Sequence, residues 1–345
     1  MGTESKKGSL ANMQRNQLPD NSTDFPLVSI ALCVYNGEKF LREQLDSLVG
    51  QSYPNLEIIA VDDCSKDTSK SILKVYADKY PFLRVIENEV NLGYVKNFEK
   101  AISLCKGEYI ALSDQDDIWH PDKIKIQYEN IGTNLLLYHD SAFMEDNGAM
   151  IDMKMSDIIH LYRGNQPEVF YFFNCVSGHT CFFKRELVSE ILPFHPEHFH
   201  DHWIAFVAVN LGTIDFVPQA LVNYRQHPTT STDILNKRKK FRRKYHENRD
   251  IKKLRKDLKW IKQCATFQKN RNPEFLNKFM TLFEERLDTF FSYEYAKFID
   301  KHFDILYFIQ KYRKSTKKAF VYRQIWGLKA KLLWVRLFSF WTEEE

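Results

Sequence analysis

Three carboxylates, Asp114, Asp116 and Asp117, stand within four positions of one another in residues 108–121, which read EYIALSDQDDIWHP. Like charges this close repel one another, and a hard divalent cation such as Mg²⁺ or Mn²⁺ relieves that repulsion. Such a cation takes its remaining ligands from water and from substrate phosphates. The alternative is a solvated acidic turn that caps a helix starting near Pro121. The cluster by itself favours neither interpretation.

An apolar run positions this cluster at the end of a strand. Residues 109–112 suit one buried strand, and open α/β sheets bind ligands at the carboxyl ends of their strands. Three further buried strands are predicted at 28–34, 56–61 and 82–86, with helices between them and a helix at 94–105. This alternation predicts an α/β fold with a mostly parallel sheet flanked by helices. The absence of GxGxxG and GxxxxGK[ST] argues against a dinucleotide fold and a P-loop.

The second half of the sequence is less regular. It predicts strands at 135–138, 170–173 and 213–217 and a helix at 201–210, and residues 221–227 are expected to close the α/β domain. Beyond residue 232 the composition is helical, basic and rich in aromatic residues. We therefore divide the chain into a disordered lead (1–25), an α/β domain (26–231) and a helical C-terminal region (232–345).

Composition limits the class of protein. The 345 residues are 44% hydrophobic and 27% charged, which is typical of a globular protein. No apolar run approaches the roughly 18 residues of a spanning helix. The six cysteines have no CxxC pair or metal-ligand spacing, which favours reduced, buried thiols in a cytoplasmic protein.

The C-terminal region carries most of the positive charge. Residues 237–262 hold fourteen Lys or Arg and three Asp or Glu, although the whole chain has a net charge of only +4. Residues 317–341 interleave aromatic and leucine residues with Lys and Arg. This pattern predicts peripheral contact with an anionic membrane, on the cytoplasmic face of the plasma membrane. The alternative is a helical subdomain that packs on the α/β domain or joins copies into a homo-oligomer. No nucleic acid is expected, because no recognised binding module is present.

Three segments, taken in order, resemble a known family. They read VSIALCVYNGEKFLREQLDSLVGQSYPNLEIIAVDDCSKD, NLGYVKNFEKAI and GEYIALSDQDDIWHPDKI. Together they resemble the family 2 inverting glycosyltransferases of the GT-A fold, above all bacterial polysaccharide enzymes of rhamnosyltransferase-like type. The resemblance covers residues 27–228 and leaves the chain beyond residue 232 uncovered. It favours the metal interpretation of the acidic cluster.

The resemblance implies a nucleotide-sugar site along the strand ends. Cys33 and Tyr35 would line the base, although many relatives have Ser or Thr at position 33. Asp63 would accept the N–H of the base imide. Asp114 would lie towards ribose and metal, and Asp116 would bind the metal. Four residues of NLGYVKNF would contact the nucleotide and its phosphates: Asn91, Gly93, Lys96 and Asn97. An ordinary helix start is the alternative for that segment.

Further residues downstream match the catalytic and acceptor side of the family. Asp201 in HDHW matches the base that removes the proton of the acceptor hydroxyl; a helix N-cap is the alternative, and both roles could hold together. His227 in YRQH lies where some relatives supply a third metal ligand, but it could also be an ordinary surface or core histidine. Five other residues would shape the pocket for the acceptor or the donor sugar: Gly178, His179, His200, His202 and Trp203.

The function implied by the resemblance is inverting, metal-dependent sugar transfer with Mn²⁺ or Mg²⁺. The donor would be dTDP-rhamnose or a UDP-linked hexose or hexosamine. The acceptor would be a hydroxyl of a saccharide or lipid-linked saccharide in bacterial surface polysaccharide synthesis. The alternative is a non-catalytic nucleotide-sugar-binding or assembly subunit with the same fold. The presence of Asp63, Asp114, Asp116 and Asp201 argues against that alternative.

Overall fold

One sheet contains all the strands in the part of the chain that can be described. The computed structural model describes residues 25–227, 247–311 and 314–338. The strands are β1 (Val28–Val34), β2 (Leu56–Asp62), β3 (Leu83–Glu87), β4 (Tyr109–Ser113), β5 (Ile118–Trp119), β6 (Leu136–Glu145), β7 (Met150–Lys154), β8 (Phe182–Lys184) and β9 (Ile214–Gln226). They lie in the order β3-β2-β1-β4-β8-β6-β9-β5, and β7 pairs with β6.

Helices connect and cover these strands. In the α/β part they are α1 (Leu41–Val49), α2 (Ser69–Lys79), α3 (Tyr94–Leu104), α4 (Lys123–Ile131), α5 (Met155–Ile158), α6 (Val188–Ile191) and α7 (His200–Leu211). In the C-terminal part they are α8 (Glu247–Thr266), α9 (Pro273–Asp288), α10 (Tyr293–Leu306), α11 (Lys314–Gln324) and α12 (Leu328–Phe338). Three 3-10 helices lie at Pro167–Phe170, Gly178–Thr180 and Arg185–Leu187.

Strand β1 explains why the first half is a two-sided parallel sheet. Successive side chains of a strand point to opposite faces. Ile30 and Leu32 belong to one apolar cluster, whereas Ala31 and Cys33 belong to the other. Helices on both faces bury both sets, so the strand is an uninterrupted apolar run. The predicted strands and helices of this half are confirmed, with boundaries shifted by one or two residues.

The second half of the sheet is mixed. β8 runs antiparallel to both β4 and β6, whereas the long strand β9 runs parallel to β6. The strand predicted at 213–217 is longer than expected and runs on through residue 226 as β9, past register shifts opposite β6. β5 pairs with β9 directly after the acidic cluster, so β9 reaches the same edge of the sheet as that cluster.

The strand predicted at 170–173 is wrong. Pro167 begins a 3-10 helix there, a position that suits a residue without an N–H. The Phe170 carbonyl accepts a hydrogen bond from the Trp260 indole, at 3.0 Å. A side chain of α8 therefore uses a backbone group that a sheet would need, and the aromatic run packs under the C-terminal helices instead.

The C-terminal helices share the core of the α/β part. Phe279 of α9 packs against Tyr171 and Phe172, with ring centroids 5.9 and 5.3 Å apart. The described part of the predicted tail, 317–338, forms α11 and α12. Three stretches lie outside the described residues: the predicted lead up to residue 24, residues 228–246, which include the start of the basic segment, and residues 339–345. Among the described helices, none has both the length and the apolar character needed to cross a membrane.

Candidate active site

The carboxyl ends of β1, β2 and β4 bring together three predicted residues: Cys33, Asp63 and Asp114. Cys33 is almost completely buried near the end of β1. Burial, and then the charges of Asp114 and Asp63, raise the pKa of the Cys33 thiol well above its usual range. Parallel strands deliver their carboxyl ends to one edge, which explains why residues so far apart in sequence meet here.

Asp63 organises the loop that carries Asn91 and Gly93. Its carboxylate is 2% exposed and accepts hydrogen bonds from Asn88 Nδ2 (2.8 Å), Leu92 N (2.7 Å) and Gly93 N (2.9 Å). The Asn91 amide donates to the Asp63 carbonyl at 3.1 Å. Gly93 has φ 78°, a backbone conformation that glycine adopts without strain. A base imide would therefore have to share an oxygen that already accepts a bond within the protein.

Asn97 and Lys96 lie one residue apart on α3 but in different surroundings. Asn97 is buried; its amide donates to the Val61 carbonyl at 3.0 Å and its oxygen accepts from Asn88 at 2.9 Å. It thus ties α3 to the end of β2. The Lys96 ammonium binds the Glu99 carboxylate at 2.7 Å, in a groove that Pro193 also lines. Contact of either residue with phosphate stays a prediction.

Gln115, a residue that the sequence analysis did not select, holds the Tyr35 backbone. The Tyr35 N–H donates to Gln115 Oε1 at 2.8 Å, and Gln115 Nε2 donates to the Tyr35 carbonyl at 3.0 Å. A Cβ at Gly37 would lie 2.4 Å from Gln115 Oε1, so a larger residue there would displace the Gln115 amide from the Tyr35 backbone. The Tyr35 side chain, directly after the end of β1, is left 47% exposed.

Asp114 forms a potential metal-binding group with Asp117 and His179. One ligand atom from each lies within 4.8 Å of the others. His179 Nδ1 is 3.9 Å from Asp114 Oδ2 and 3.8 Å from Asp117 Oδ2, while its Nε2 bonds Ser141 Oγ at 2.8 Å. Asp117 Oδ2 is buried without a hydrogen-bond partner. The sequence analysis included Asp117 in the acidic cluster but assigned the metal contacts to Asp114, Asp116 and His227, and it placed His179 with the sugar pocket.

The electrostatics of this group suit a divalent cation. Burial, and then the charges of Asp116 and Asp201, raise the pKa of Asp114 to about 7. Burial, together with the other two carboxylates of the cluster, also raises the pKa of Asp117 above its usual range. Burial lowers the pKa of His179 to about 3, which leaves the ring a neutral ligand. Carboxylate oxygens and a neutral imidazole are donors that Mn²⁺ accepts.

Asp116 pairs with His227 instead of joining this group. His227 Nε2 lies 2.8 Å from Asp116 Oδ2. Arg225, two residues earlier on β9 and 1% exposed, donates to the Asp116 carbonyl at 2.8 Å and to Glu43 Oε2 at 2.5 Å. β9 therefore fixes both the backbone and the side chain of Asp116. The sequence analysis missed Arg225, although its position in YRQH, two residues before the selected His227, was a usable signal.

Asp201 lies at the first turn of α7. Its Oδ2 accepts from the Gly178 N–H at 3.0 Å and its Oδ1 from the His202 N–H at 2.6 Å. Burial raises the pKa of Asp201 to about 6 in spite of these bonds. Its charge contributes to the raised pKa of Asp114, and residues 178–179 link the two carboxyl groups: the Gly178 N–H binds Asp201, and His179 Nδ1 lies 3.9 Å from Asp114 Oδ2. The residue thus combines helix-start bonding with the proton affinity of a general base.

The neighbours of Asp201 divide between the cleft and the core. His200 stacks on Phe98 at 4.2 Å, and neither of its buried ring nitrogens has a hydrogen-bond partner. His202 Nε2 bonds the Phe170 carbonyl at 2.7 Å while its ring stacks on Trp260. The Trp203 indole donates to Ile191 O at 3.0 Å. His202 and Trp203 therefore hold α7 in place. His200 instead lies close to Gly178: a Cβ added at Gly178 would be 3.3 Å from His200 Nε2.

An exposed aromatic pair that the sequence analysis missed lies beside Asp201. Tyr94 is 45% and Phe199 is 38% exposed, and their ring centroids are 6.3 Å apart. Burial and the charge of Asp201 raise the pKa of Tyr94, which places its hydroxyl near that carboxylate. Lys256 Nζ of α8 lies 4.9 Å from the Phe199 ring centroid. The adjacency of Phe199 to HDHW was the signal available in the sequence.

Comparison with known proteins identifies the family and the fold to which these features belong. Residues 29–192 match the family model described as glycosyl transferase family 2, and the chain carries a domain of that family. The expected family is confirmed. The fold is also that of residues 1–349 of S. aureus TarS, solved in complex with UDP-GlcNAc: the TM-score is 0.54 at 18% identity, covering 82% of this chain and 74% of that one. The GT-A fold is confirmed.

Curated relatives agree with the family. The Bacillus subtilis (strain 168) protein EpsH, named as a candidate glycosyltransferase, is 33% identical over 217 residues, 59% of this chain and 61% of EpsH. TuaG of the same organism, named as a candidate glycosyltransferase of teichuronic acid biosynthesis, is 36% identical over 104 residues, 30% of this chain and 41% of TuaG. This chain thus spans less than two thirds of either protein.

Proposed function

We propose that this glycosyltransferase moves a sugar from a nucleotide-diphosphate donor to a hydroxyl of a saccharide or lipid-linked saccharide, with inversion, in polysaccharide synthesis. The observation that carries the proposal is that Cys33, Asp63 and Asp114 lie at neighbouring strand ends, while Asp201 binds the N–H of Gly178, next to His179, whose Nδ1 is 3.9 Å from Asp114 Oδ2. The name of TuaG supports a polysaccharide product. The donor remains dTDP-rhamnose or a UDP-linked hexose or hexosamine, and the UDP-GlcNAc bound by TarS supports testing the latter first.

The strand ends would bind the donor. Tyr35, exposed and held through its backbone by Gln115, is positioned to cover the base. The loop bound to Asp63 presents Asn91 and Gly93 at the same strand ends. Because these contacts exist without a ligand, little ordering is needed on binding, which favours affinity.

Mn²⁺ or Mg²⁺ fits the residues at the end of β4. Asp114, Asp117 and His179 offer three donor atoms, and the buried Asp117 Oδ2 lacks a partner that a cation would supply. Asp116 and His227 form a second pair at 2.8 Å, the pair expected to bind metal from the family resemblance. When bound, the cation offsets the negative charge of the diphosphate leaving group.

Asp201 would act on the acceptor. A sugar hydroxyl is a weak nucleophile, and removal of its proton as it attacks lowers the barrier. The Asp201 carboxylate is held in place by the Gly178 and His202 N–H groups, so its orientation does not depend on the substrate. His202 and Trp203 keep α7 fixed beneath it. A single displacement from the face opposite the leaving group gives inversion without a covalent intermediate.

The acceptor would bind at the side of Tyr94 and Phe199. The two partly exposed rings flank Asp201 and offer apolar faces on which a sugar ring can lie. Lys256, on the neighbouring basic helix, would favour an acceptor that carries a phosphate or carboxylate.

The test combines binding and turnover of the full chain. UDP-GlcNAc, UDP-glucose and dTDP-rhamnose are compared by thermal shift with Mn²⁺, and a donor at 100 times its Kd should add about 2.7 kcal/mol of stability. The stabilising donor should also release its nucleoside diphosphate, slowly to water and faster with an acceptor. Stabilisation without any release would instead identify a non-catalytic binding subunit, and no stabilisation by any donor would contradict the proposal.

A further inference from the structure

Two segments that are far apart in sequence join to display aromatic rings at the protein surface. Ser292 N donates to the Ile325 carbonyl at 2.7 Å, and Gly327 N donates to the Phe290 carbonyl at 2.9 Å. The linker between α11 and α12 is thereby bonded to the start of α10. A Cβ at Gly327 would lie 2.0 Å from the Thr289 carbonyl oxygen, so only glycine permits this approach.

This contact exposes a cluster of three rings. Phe291 is 51%, Tyr293 is 57% and Trp326 is 44% exposed. The Phe291 ring centroid lies 5.9 Å from that of Tyr293 and 5.4 Å from that of Trp326. Phe290 beside them is 49% exposed. We call Phe290, Phe291, Tyr293 and Trp326 the aromatic knuckle. Large apolar groups gathered at a surface in this way mark an interaction site.

Basic residues predominate on α11 and α12, on either side of Trp326, although Asp288 and Glu294 beside the other rings are exposed acidic residues. Residues 314–338, which include Trp326, contain seven Lys or Arg and no Asp or Glu. Exposed members of this set include Lys318, Arg323 and Lys329. α12 also contacts α8, on which Lys252, Lys253 and Arg255 are exposed. Aromatic rings flanked by basic side chains match the boundary between acyl chains and anionic headgroups.

We propose that the aromatic knuckle inserts into the interface of an anionic membrane and holds the chain there. A second copy is the alternative occupant, and the excess of basic over acidic residues on α11 and α12 favours the anionic membrane. The proposal narrows the membrane contact expected from the sequence to the α9–α10 turn, the first residue of α10 and the α11–α12 linker. It does not depend on the sugar-transfer chemistry.

The full-length protein is tested by sedimentation with vesicles of phosphatidylcholine, with and without phosphatidylglycerol. The double variant Phe291→Ser/Trp326→Ser should bind anionic vesicles roughly a hundredfold more weakly, at about tenfold for each ring withdrawn from the bilayer. Val75→Ser, which changes a 57% exposed residue on α2, is the matched control and should bind as the parent does. Lys329→Glu should weaken binding in low salt and have less effect in high salt.

A conservative variant covers the case in which the double variant does not fold. Trp326→Phe should retain binding but lose much of the quenching of tryptophan emission by brominated phosphatidylcholine. Parental binding by the double variant, equal binding to neutral and anionic vesicles, or quenching unchanged in Trp326→Phe would each overturn the proposal. Conversion of a parental dimer to a monomer by the double variant, with no vesicle binding by either, would assign the knuckle to a second copy. Release of nucleoside diphosphate is measured separately and should be unchanged in all these variants.

Discussion

The donor side and the acceptor side of the cleft use aspartates in different ways. Asp63 is 2% exposed and accepts three hydrogen bonds, all of them from the loop between β3 and α3. Asp201 accepts from two N–H groups, and burial raises its pKa to about 6. A carboxylate saturated with donors is suited to holding a loop in shape. A carboxylate whose proton affinity has been raised is suited to taking a proton near neutral pH.

The surroundings of the two aspartates differ in the same sense. On the donor side, Gln115 and Arg225 hold the backbone of the acidic loop through several hydrogen bonds. On the acceptor side, the cleft is lined by Tyr94 and Phe199, and the nearby His200 has two ring nitrogens without partners. A pre-arranged polar surface suits a nucleotide of fixed shape, whereas aromatic surfaces tolerate variation in a saccharide. The comparison leads us to expect that substitutions on the two sides will affect different substrates.

Substitution of Asp201 should give the largest effect. Asp201→Asn removes the base while keeping the size of the side chain, so transfer should fall by roughly 10² to 10⁴. The amide can satisfy only one of the two N–H donors, which should cost about 1 kcal/mol of folding free energy. The donor Kd should be unchanged, because the base acts on the acceptor. Transfer rates and donor Kd for parent and variant provide the measurement.

The pH dependence supplies the control for the Asp201 assignment. The base must be ionised, and with a pKa of about 6 its ionised fraction decreases as the pH falls through that value. At saturating donor and metal, parental turnover should therefore drop by about tenfold per pH unit below that pKa. The residual turnover of Asp201→Asn should lack this decrease. A variant with more than about a tenth of parental turnover would contradict the assignment and transfer the role to another group.

Substitution of Asp116 should have the next largest effect, on the binding of metal and nucleotide. Asp116→Asn should remove the Mn²⁺-dependent stabilisation by a nucleoside diphosphate, which is about 2.7 kcal/mol at 100 times the Kd. Calorimetry with and without Mn²⁺ measures this loss. Asp78→Asn, on the exposed surface of α2, is the control.

The same measurement distinguishes the two sets of metal ligands. If Asp117→Asn loses Mn²⁺ while Asp116→Asn binds as the parent does, the ion is held by Asp114, Asp117 and His179. That result would reject the expected pairing of Asp116 and His227 on the metal.

Truncation of the aromatic pair should have the smallest effect and should concern the acceptor only. Tyr94→Ala or Phe199→Ala should raise the acceptor KM by about fivefold, since a ring contact of this kind contributes about 1 kcal/mol. Turnover at saturating acceptor and the donor Kd should stay near parental values. Tyr94→Phe keeps the ring and should behave as the parent. An unchanged acceptor KM in both alanine variants would show that the acceptor binds elsewhere.

The α/β half was predictable because its signals are local. Buried strands such as β1 and β4 are continuous apolar runs, and Asp63 and Asp114 follow strand ends directly in the sequence. The aromatic run at 170–173 has the same composition as a strand, but contacts with α8 and α9 decide its conformation. Such contacts depend on residues almost a hundred positions away, which no local pattern contains.

Three features could be predicted from the amino-acid sequence: the family, the parallel half of the sheet, and the position of the acidic cluster at a strand end. The order and spacing of residues along the chain encode them. Tertiary structure alone decided which groups meet: Arg225 on the Asp116 carbonyl, Gln115 on the Tyr35 backbone, and His179 between Asp114 and Asp117. It also decided that Phe291 and Trp326 share one exposed cluster. Each of these pairs joins separate elements, so its geometry is set by how the sheet and helices pack and not by either segment alone.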